Sequence, residues 1–314
     1  MTDLTYLQAI LIGALQGVTE LFPISSLGHS VLVPAWIGGS WQQLVTQYGT
    51  EHSEESPYLT FIVALHVATA LVLLWFYRAD WAAIIRGFFR TIRTRSVTTS
   101  TERLAWLIII ATIPVGITGV VLEHTFRVLF AKPSAAAAFL MLNGLVLFAG
   151  EWLRRRADRR ATAYAASHDV IEVRDEESHH AVVGGPNRSL DDLGYLEAGV
   201  IGVFQTFALL AGISRSGITM VGGLVRGLDH EDALKFSFLL ATPVILAAGQ
   251  RGQLEQAGSG GADIHGQVIV GCISAAVAAW FSVKFLTRWF TTRTLIPFAV
   301  YCLVAGGISL VHFA

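Results

Sequence analysis

The chain has 314 residues, of which 53% are hydrophobic and 14% are charged, and its mean hydropathy is +0.56. This composition excludes an ordinary soluble globule and is typical of an integral membrane protein. The formal net charge is −1 and the arginines fall in short clusters between hydrophobic runs, so the sequence indicates no nucleic-acid partner.

The first hydrophobic region, residues 4–37, consists of two short apolar pieces on either side of a polar break that contains Glu20, Pro23 and Ser26. Backbone in such a break loses its helical hydrogen bonds, which at membrane depth is tolerated only inside protein or beside a water-filled cavity. We therefore predict a re-entrant helix hairpin over residues 4–37, with a functional site at its break.

Three stretches follow that are long and apolar enough to cross the hydrocarbon core, which takes about 20 residues. They are 58–77, 104–122 and 134–152. Together with the hairpin they make a predicted first membrane repeat, residues 1–152. The next stretch, 153–193, opens with arginines and then mixes acidic residues, histidines and small residues without periodicity, which is typical of a solvated linker.

Residues 194–228 follow the plan of the first hairpin, and the two breaks match at several positions. The matched pairs are Gly13 and Gly202, Gln16 and Gln205, Leu21 and Leu210, Ile24 and Ile213, Ser25 and Ser214, and Gly28 and Gly217. The first copy alone carries Glu20 and His29, and the second alone carries Arg215. Three further spans follow, at 232–250, 266–286 and 294–313. The predicted second membrane repeat is therefore residues 194–314.

The positions of arginine and lysine predict the orientation, because connections rich in these residues stay in the cytoplasm. Three connections are arginine-rich and predicted to be cytoplasmic: 78–103, 153–193 and 287–293. The connections 38–57 and 251–265 are poor in basic residues and are predicted to face outward. The first hairpin then opens outward and the second opens to the cytoplasm. We predict an all-α polytopic membrane protein with an inverted-topology repeat, each repeat a broken re-entrant hairpin plus three transmembrane helices.

The two breaks together have the chemistry of an anion site. Ser25 and Ser26 begin one half-helix, and the amides and positive dipole end at such a position favour phosphate. Ser214, Arg215 and Ser216 begin the other half-helix, and the guanidinium matches phosphate oxygens with two parallel hydrogen bonds. Two such half-helix ends suit a diphosphate.

The first break also carries groups that can move a proton or hold a cation. Glu20 lies one turn before Pro23, where it can hold a divalent cation, Mg²⁺ or Ca²⁺, against a diphosphate or accept a proton. His29 lies three residues after Ser26, and in a helix this spacing brings the imidazole beside the hydroxyl, which is the pairing that activates a serine.

Each of these features has a simpler structural explanation. Serine and glycine are enriched where membrane helices touch, and Glu20 and Arg215 could form a structural ion pair. Gln16 and Gln205 could bridge the hairpins rather than contact a substrate. His66, inside the span 58–77, is more typical of a hydrogen-bond partner between helices than of a catalyst, and we leave it out of the predicted site.

These motifs resemble a known family. The segment from Gln16 to Glu20, followed by Pro23-Ile-Ser-Ser-Leu-Gly-His29, and the segment Gly212-Ile-Ser-Arg-Ser-Gly217 are similar to the two signature motifs of the undecaprenyl-diphosphate phosphatases linked to bacitracin resistance. The resemblance extends to 236–243 and 296–301. It implies a bacterial inner-membrane enzyme that removes the terminal phosphate from a polyprenyl diphosphate lipid for peptidoglycan synthesis, with an active site that opens to the periplasm.

The resemblance also implies roles for individual residues. Glu20 matches an acidic motif residue, Ser26 the nucleophile, His29 its partner and Arg215 the phosphate-binding arginine. We add a predicted substrate-binding set, consisting of Gln16, Ser25, Gln205, Ser214, Ser216 and Gly217. The chain departs from the pattern at Gln16, which leaves one fewer carboxylate for a cation than the acidic form of the motif, and also at Leu27 and Ala211.

The resulting hypothesis is hydrolysis: the diphosphate lies between the half-helix ends, and Ser26 or an activated water attacks the terminal phosphorus while His29 or Glu20 takes the proton. The alternative is a polyprenyl-phosphate transporter or flippase with the same anion site, because secondary transporters also place broken helices around a site at the membrane midplane. A homodimer is left open by the sequence.

Overall fold

The computed structural model describes residues 4–46, 57–130, 132–167, 188–256 and 264–314. These residues form α-helices and short 3-10 turns, and no β-strand occurs among them. The helices are α1 (Tyr6–Thr19), α2 (Ser26–Ile37), α3 (Gly39–Thr46), α4 (Pro57–Phe76), α5 (Arg78–Thr94), α6 (Ser100–Phe130), α7 (Pro133–Ser167), α8 (Tyr195–Thr206), α9 (Arg215–Val225), α10 (His230–Gln256), α11 (His265–Trp289) and α12 (Ile296–Phe313).

Helices α6, α7, α10, α11 and α12 are each long and apolar enough to cross a membrane. A sixth crossing is present if Phe61–Phe76 of α4 and the following α5, which meet at 83°, count as one broken span. The chain is a multi-pass α-helical membrane protein, as predicted. The inverted relation of the two repeats and their domain boundaries stay predictions.

Both predicted hairpins are helices interrupted at the expected places. Helix α1 ends at Thr19 and α2 begins at Ser26, while α8 ends at Thr206 and α9 begins at Arg215. The matched serines cap the two returning helices in the same way, because the side-chain oxygens of Ser25 and Ser214 accept the N–H groups of Gly28 and Gly217, at 3.2 Å in both cases. The repeat seen in the sequence is therefore a repeat of local structure.

Glycines allow the first helix of each hairpin to lie against a long span of the other half. A Cβ atom added to Gly13 would lie 2.3 Å from the carbonyl oxygen of Gly271 in α11. A Cβ atom added to Gly202, its matched residue, would lie 2.4 Å from the carbonyl oxygen of Ala111 in α6. Only small residues permit backbones to approach so closely in a membrane. The halves are thus held together by reciprocal contacts.

The structure differs from the prediction in the connections. The arginine-rich connection 78–103 contains helix α5, which exposes Ile85, Phe89 and Ile92 beside its arginines. An amphipathic helix of this kind is typical of the membrane interface. Helix α7 continues past residue 152 to Ser167, into the predicted linker, because its alanines and arginines are strong helix formers. The acidic and histidine-containing part of that linker, 168–187, lies outside the described residues.

The substitution Gly13→Ala is expected to destabilise the protein, because its methyl group would overlap the Gly271 carbonyl. Overpacking of this kind costs about 1–3 kcal/mol of unfolding free energy. Gly119→Ala in α6 is the matched control, since a Cβ atom there meets nothing within 4 Å. Thermal unfolding in detergent measures both, and equal melting temperatures for the two variants would contradict the close packing of α1 on α11.

Candidate active site

An ion pair joins the two breaks. Glu20 follows the last residue of α1, and Arg215 is the first residue of α9, so each stands where its hairpin is interrupted. The Nη2 atom of Arg215 donates to Oε1 of Glu20, and the side chains are only 16% and 5% exposed. The acid of one hairpin and the guanidinium of the other therefore meet inside the protein.

The second oxygen of Glu20 is also engaged. The hydroxyl of Ser26 donates to Oε2 at 2.5 Å, and the amide nitrogen of Gln16 donates to the same atom at 3.1 Å. His66 of α4 places its Nε2 atom 3.3 Å from Oε2. Glu20 is thus the centre of the cluster, and it is the group that can take the proton of Ser26.

His29 does not pair with Ser26 as predicted. Its Nδ1 atom lies 2.7 Å from the carbonyl oxygen of Ser25, and its Nε2 atom lies 2.8 Å from the hydroxyl of Tyr301. A carbonyl only accepts, so Nδ1 carries the proton and Nε2 accepts from the tyrosine. Neither ring nitrogen is left for Ser26. The helical spacing is present, but the carbonyl one turn back and α12 hold the imidazole.

The other predicted serines hold the breaks to each other. The hydroxyl oxygen of Ser25 accepts the N–H of Gly212 at 3.1 Å, across the two hairpins. Ser25 itself has φ of 72°, a left-handed conformation that costs a residue other than glycine about 1–3 kcal/mol and persists only where the surroundings enforce it. Ser214 and Ser216 lie 3.4 and 3.2 Å from the carbonyl oxygen of Phe22, to which their hydroxyls donate.

Asn143 in α7 is a residue of the site region that the sequence analysis did not single out. It is fully buried, its Nδ2 atom donates to the carbonyl oxygen of Pro23 at 3.0 Å, and its Oδ1 atom accepts the N–H of Ser214 at 2.9 Å. One amide therefore binds both breaks. The available signal was a polar amide in the middle of the apolar span 134–152, where the other strongly polar side chain, Glu151, lies at the end. The position of His66 inside 58–77 was noticed, but its contact with Glu20 was not predicted.

A cavity of about 250 Å³ lies beside the ion pair. Its polar lining consists of Glu20, Ser25, Ser26, His66, Gln205, Ser214 and Arg215. Its walls are apolar and come from α4, α6, α10 and the second break, with Val63, Val115 and Ile245 among them. Of the other predicted residues, Gln16, His29, Ser216 and Gly217 do not line this cavity. The arrangement suits a ligand with an anionic head and an apolar tail.

Gln205 differs from its matched residue, Gln16, in its hydrogen bonding. Gln16 donates to Glu20, whereas neither the amide oxygen nor the amide nitrogen of Gln205 has a hydrogen-bond partner among the described residues. Gln205 is fully buried and lines the cavity. Because a buried amide without partners is costly, this side chain is suited to contact a ligand in the cavity.

The residues present fit a divalent cation only in part. Glu20 is the one carboxylate that lines the cavity, and no group of three or more acidic, histidine or cysteine side chains suited to a metal occurs within the described ranges. Magnesium is commonly bound by one or two carboxylates together with substrate phosphates. A cation at Glu20 therefore needs oxygen ligands from the substrate as well, and it stays a prediction.

The fold and the cavity define a class: a multi-pass membrane protein with a buried site for an anionic lipid-like ligand. The family described as bacitracin resistance protein BacA matches residues 9–308, and the chain belongs to this family. The resemblance drawn from the two motifs is thereby confirmed.

Named relatives cover the chain almost completely. It is 58% identical to undecaprenyl-diphosphatase 2 of Frankia alni, over 100% of this chain and 99% of the relative. It is 54% identical to undecaprenyl-diphosphatase of Mycolicibacterium paratuberculosis, over 99% of this chain and 98% of the relative. A more distant relative, undecaprenyl-diphosphatase of Gluconacetobacter diazotrophicus, is 41% identical over 98% and 96%.

The variant Arg215→Met is expected to lose about 3–5 kcal/mol of unfolding free energy, because it leaves the carboxylate of Glu20 buried without its cation. The double variant Arg215→Met with Glu20→Gln should recover much of that loss, since no charge then remains uncompensated. Thermal unfolding of the purified protein measures both.

Lys235→Met provides the control for this pair of variants. Lys235 lies 2.7 Å from Asp80, but these side chains are 36% and 34% exposed, and an ion pair so open to solvent contributes at most about 1 kcal/mol. If the double variant were no more stable than Arg215→Met alone, the ion pair would not be the source of the effect.

Proposed function

We propose that the chain is an integral membrane undecaprenyl-diphosphatase, which hydrolyses undecaprenyl diphosphate to undecaprenyl phosphate and inorganic phosphate. Membership of the bacitracin resistance family and the names of its relatives support this function. The observation that carries it is the contact of Ser26 with Glu20 at 2.5 Å, beside Arg215. The hydroxyl of Ser26, the proposed base Glu20 and the phosphate-binding guanidinium of Arg215 then line the same cavity.

The substrate head binds where the ion pair now is. The terminal phosphate brings oxygens that replace the carboxylate of Glu20 at the guanidinium of Arg215, and this exchange is favourable because the fork of N–H groups matches two phosphate oxygens. The unpartnered amide of Gln205 provides a further contact. Once released from Arg215, Glu20 keeps its hydrogen bond to Ser26 and is a stronger base.

The chemical step needs one proton acceptor and one attacking oxygen. Glu20 takes the proton of Ser26 as Oγ attacks the terminal phosphorus, and the bond from phosphorus to the bridging oxygen breaks, so undecaprenyl phosphate leaves. A water molecule then attacks the phosphoserine, the bond from phosphorus to Oγ breaks, and Glu20 returns its proton to Oγ of Ser26 as inorganic phosphate is released. In the second route, water attacks the substrate directly and Glu20 takes its proton.

A divalent cation, when bound between Glu20 and the substrate, would neutralise the charge that develops on the phosphate oxygens. The apolar walls of the cavity, among them Val63, Val115 and Ile245, would contact the first isoprenyl units of the lipid. The remainder of a long polyprenyl chain does not fit in about 250 Å³ and would extend into the bilayer.

The membrane is proposed to be the bacterial inner membrane, with the site open to the periplasm. The product is the lipid carrier of cell-wall synthesis, and its regeneration underlies bacitracin resistance. The distribution of arginine predicts which connections are cytoplasmic, whereas the periplasmic opening of the site rests on the family resemblance. A flippase is not favoured, because the relatives are named as phosphatases and transport has no need of a serine bound to a buried acid. A homodimer stays a prediction.

Release of inorganic phosphate from undecaprenyl diphosphate by the purified protein tests the proposal. Glu20→Gln is expected to lower the rate about 100-fold or more, since general base catalysis contributes roughly that factor. Ser26→Ala should abolish most of the activity if the serine attacks, while a rate close to that of the unsubstituted protein would support direct attack by water.

Ser282→Ala is the control for these variants, because Ser282 is a buried serine of α11 whose hydroxyl donates only to the Ala278 carbonyl, at 2.8 Å. It should release phosphate at the normal rate. If Glu20→Gln also retained the normal rate, the proposed base would be wrong.

The cation is tested separately. Chelation of divalent cations is expected to lower phosphate release, and added Mg²⁺ or Ca²⁺ should restore it, because Glu20 is the one carboxylate lining the cavity and cannot bind a metal tightly alone. Undiminished release in excess chelator would remove the cation from the mechanism.

A further inference from the structure

A second site is formed on the outer surface of α11, away from the cavity. Three basic side chains, Lys284, Arg288 and Arg293, line a groove of about 520 Å³ at the carboxyl end of this helix and in the turn that follows. All three are exposed. The groove shares no residue with the cavity at Glu20.

Within the described part of the chain, no acidic side chain balances the positive charge of this groove. The whole segment 264–314, which contains α11 and α12, has no aspartate or glutamate. No acidic side chain of the described ranges pairs with Lys284, Arg288 or Arg293. A favourable interaction with the negative end of the helix dipole accounts for Arg288 in the last turn, but not for the other two residues.

The walls of the groove are aromatic. Phe281 and Phe285 are 66% and 47% exposed, and they stand beside Trp289. Phe285 stacks on Trp289 with ring centroids 5.5 Å apart, and on the other side it stacks on Phe22 of the first break at 5.7 Å. The guanidinium of Arg293 lies 5.8 Å from the centroid of the Trp289 ring, within the range of a cation–π interaction. This contact holds the charged group and the aromatic wall of the groove against each other.

The groove lies at the depth of lipid headgroups. Helix α11 has 25 residues and is therefore about 37 Å long, which exceeds the hydrocarbon core of about 30 Å. Its last turns reach the interface, where tryptophan and basic residues meet the phosphates of lipids. Positive charge in this connection would be sufficient to set the orientation of the chain in the membrane. The aromatic walls beside that charge are not needed for orientation and therefore need another explanation.

We propose that this groove binds the headgroup of an anionic phospholipid, with the phosphate held by Arg288 and Arg293 and the upper acyl chains against Phe281 and Phe285. The occupant is a lipid because the charged part of the groove continues directly into exposed aromatic surface. Basic pockets at the membrane interface bind anionic headgroups in this way. This inference does not depend on the phosphatase function.

Native mass spectrometry of the purified full chain, titrated with phosphatidylglycerol in detergent, tests the proposal. Binding of phosphatidylglycerol should weaken about 5-fold for each arginine replaced, and so about 25-fold in the double variant Arg288→Gln with Arg293→Gln. Phosphatidylcholine, which has the same phosphate but no net charge, should bind weakly to both proteins. The melting temperature of each sample reports whether the variant is folded.

The matched control is Arg156→Gln with Arg160→Gln, which removes the same charge from α7. Arg156 lies over Trp152, which is 51% exposed, at 5.3 Å from the ring, so it reproduces the arginine and tryptophan pair outside the groove. This control should bind phosphatidylglycerol as the unsubstituted chain does. Equal losses in both double variants, or no loss in either, would overturn the proposal.

Inorganic phosphate separates a lipid site from a site for any phosphate ion. Millimolar inorganic phosphate should leave the binding of phosphatidylglycerol nearly unchanged, because the ion gains nothing from the aromatic walls. Complete displacement of the lipid by phosphate at that concentration would show a site for free anions and would overturn the assignment to a phospholipid.

Discussion

The buried pair of Glu20 and Arg215 is the interaction on which the rest of the structure depends. Each charge alone at the centre of a bilayer costs about 2.5–3.5 kcal/mol even on insertion scales. Each hairpin therefore supplies the charge that offsets the cost of burying the charge of the other. The contacts of Gly13 and Gly202 with the opposite half bring the two interrupted helices close enough for the charges to meet.

The same pair explains how a site for a highly charged ligand can exist before the ligand arrives. Without a ligand, the carboxylate of Glu20 pairs with the guanidinium of Arg215, as a phosphate group would, so the net charge of the site is close to zero. In the proposed binding mode, a diphosphate that displaces the carboxylate does not leave it isolated, because Ser26 and Gln16 already donate to it. Binding thus exchanges one set of charge-assisted hydrogen bonds for another instead of creating an unpaired charge.

The sequence was sufficient to predict the helical membrane class, both interrupted hairpins and the residues at their centre. The reason is that polar residues inside apolar runs are rare and have few explanations. The match of Ser25 with Ser214 indicated that a half-helix begins at each break, and in the structure each serine caps the returning helix through its side-chain oxygen. Helix α5 was missed because its arginines were treated as a charge cluster, although Ile85, Phe89 and Ile92 follow one another at helical spacing.

Contacts between segments that are distant in the chain could not be predicted from the sequence. His29 has the correct spacing for Ser26, but Tyr301 and the Ser25 carbonyl hold its ring, and nothing local to the first motif indicates that α12 supplies the tyrosine. The approach of His66 to Glu20 likewise depends on how α4 packs. Periodicity and motif spacing describe each element separately, whereas these contacts depend on where the elements meet.

Asn143 has a consequence for how lipids enter and leave. Its amide forms hydrogen bonds with Pro23 of the first break and Ser214 of the second, and Ser25 adds a direct hydrogen bond to Gly212. Separating the two breaks would leave several buried polar groups without hydrogen-bond partners, and each such group costs about 1–3 kcal/mol of free energy. These hydrogen bonds join the two breaks to each other, and a rocking motion of one half against the other would have to break them. We therefore expect lipid to exchange sideways, between the helices that wall the cavity.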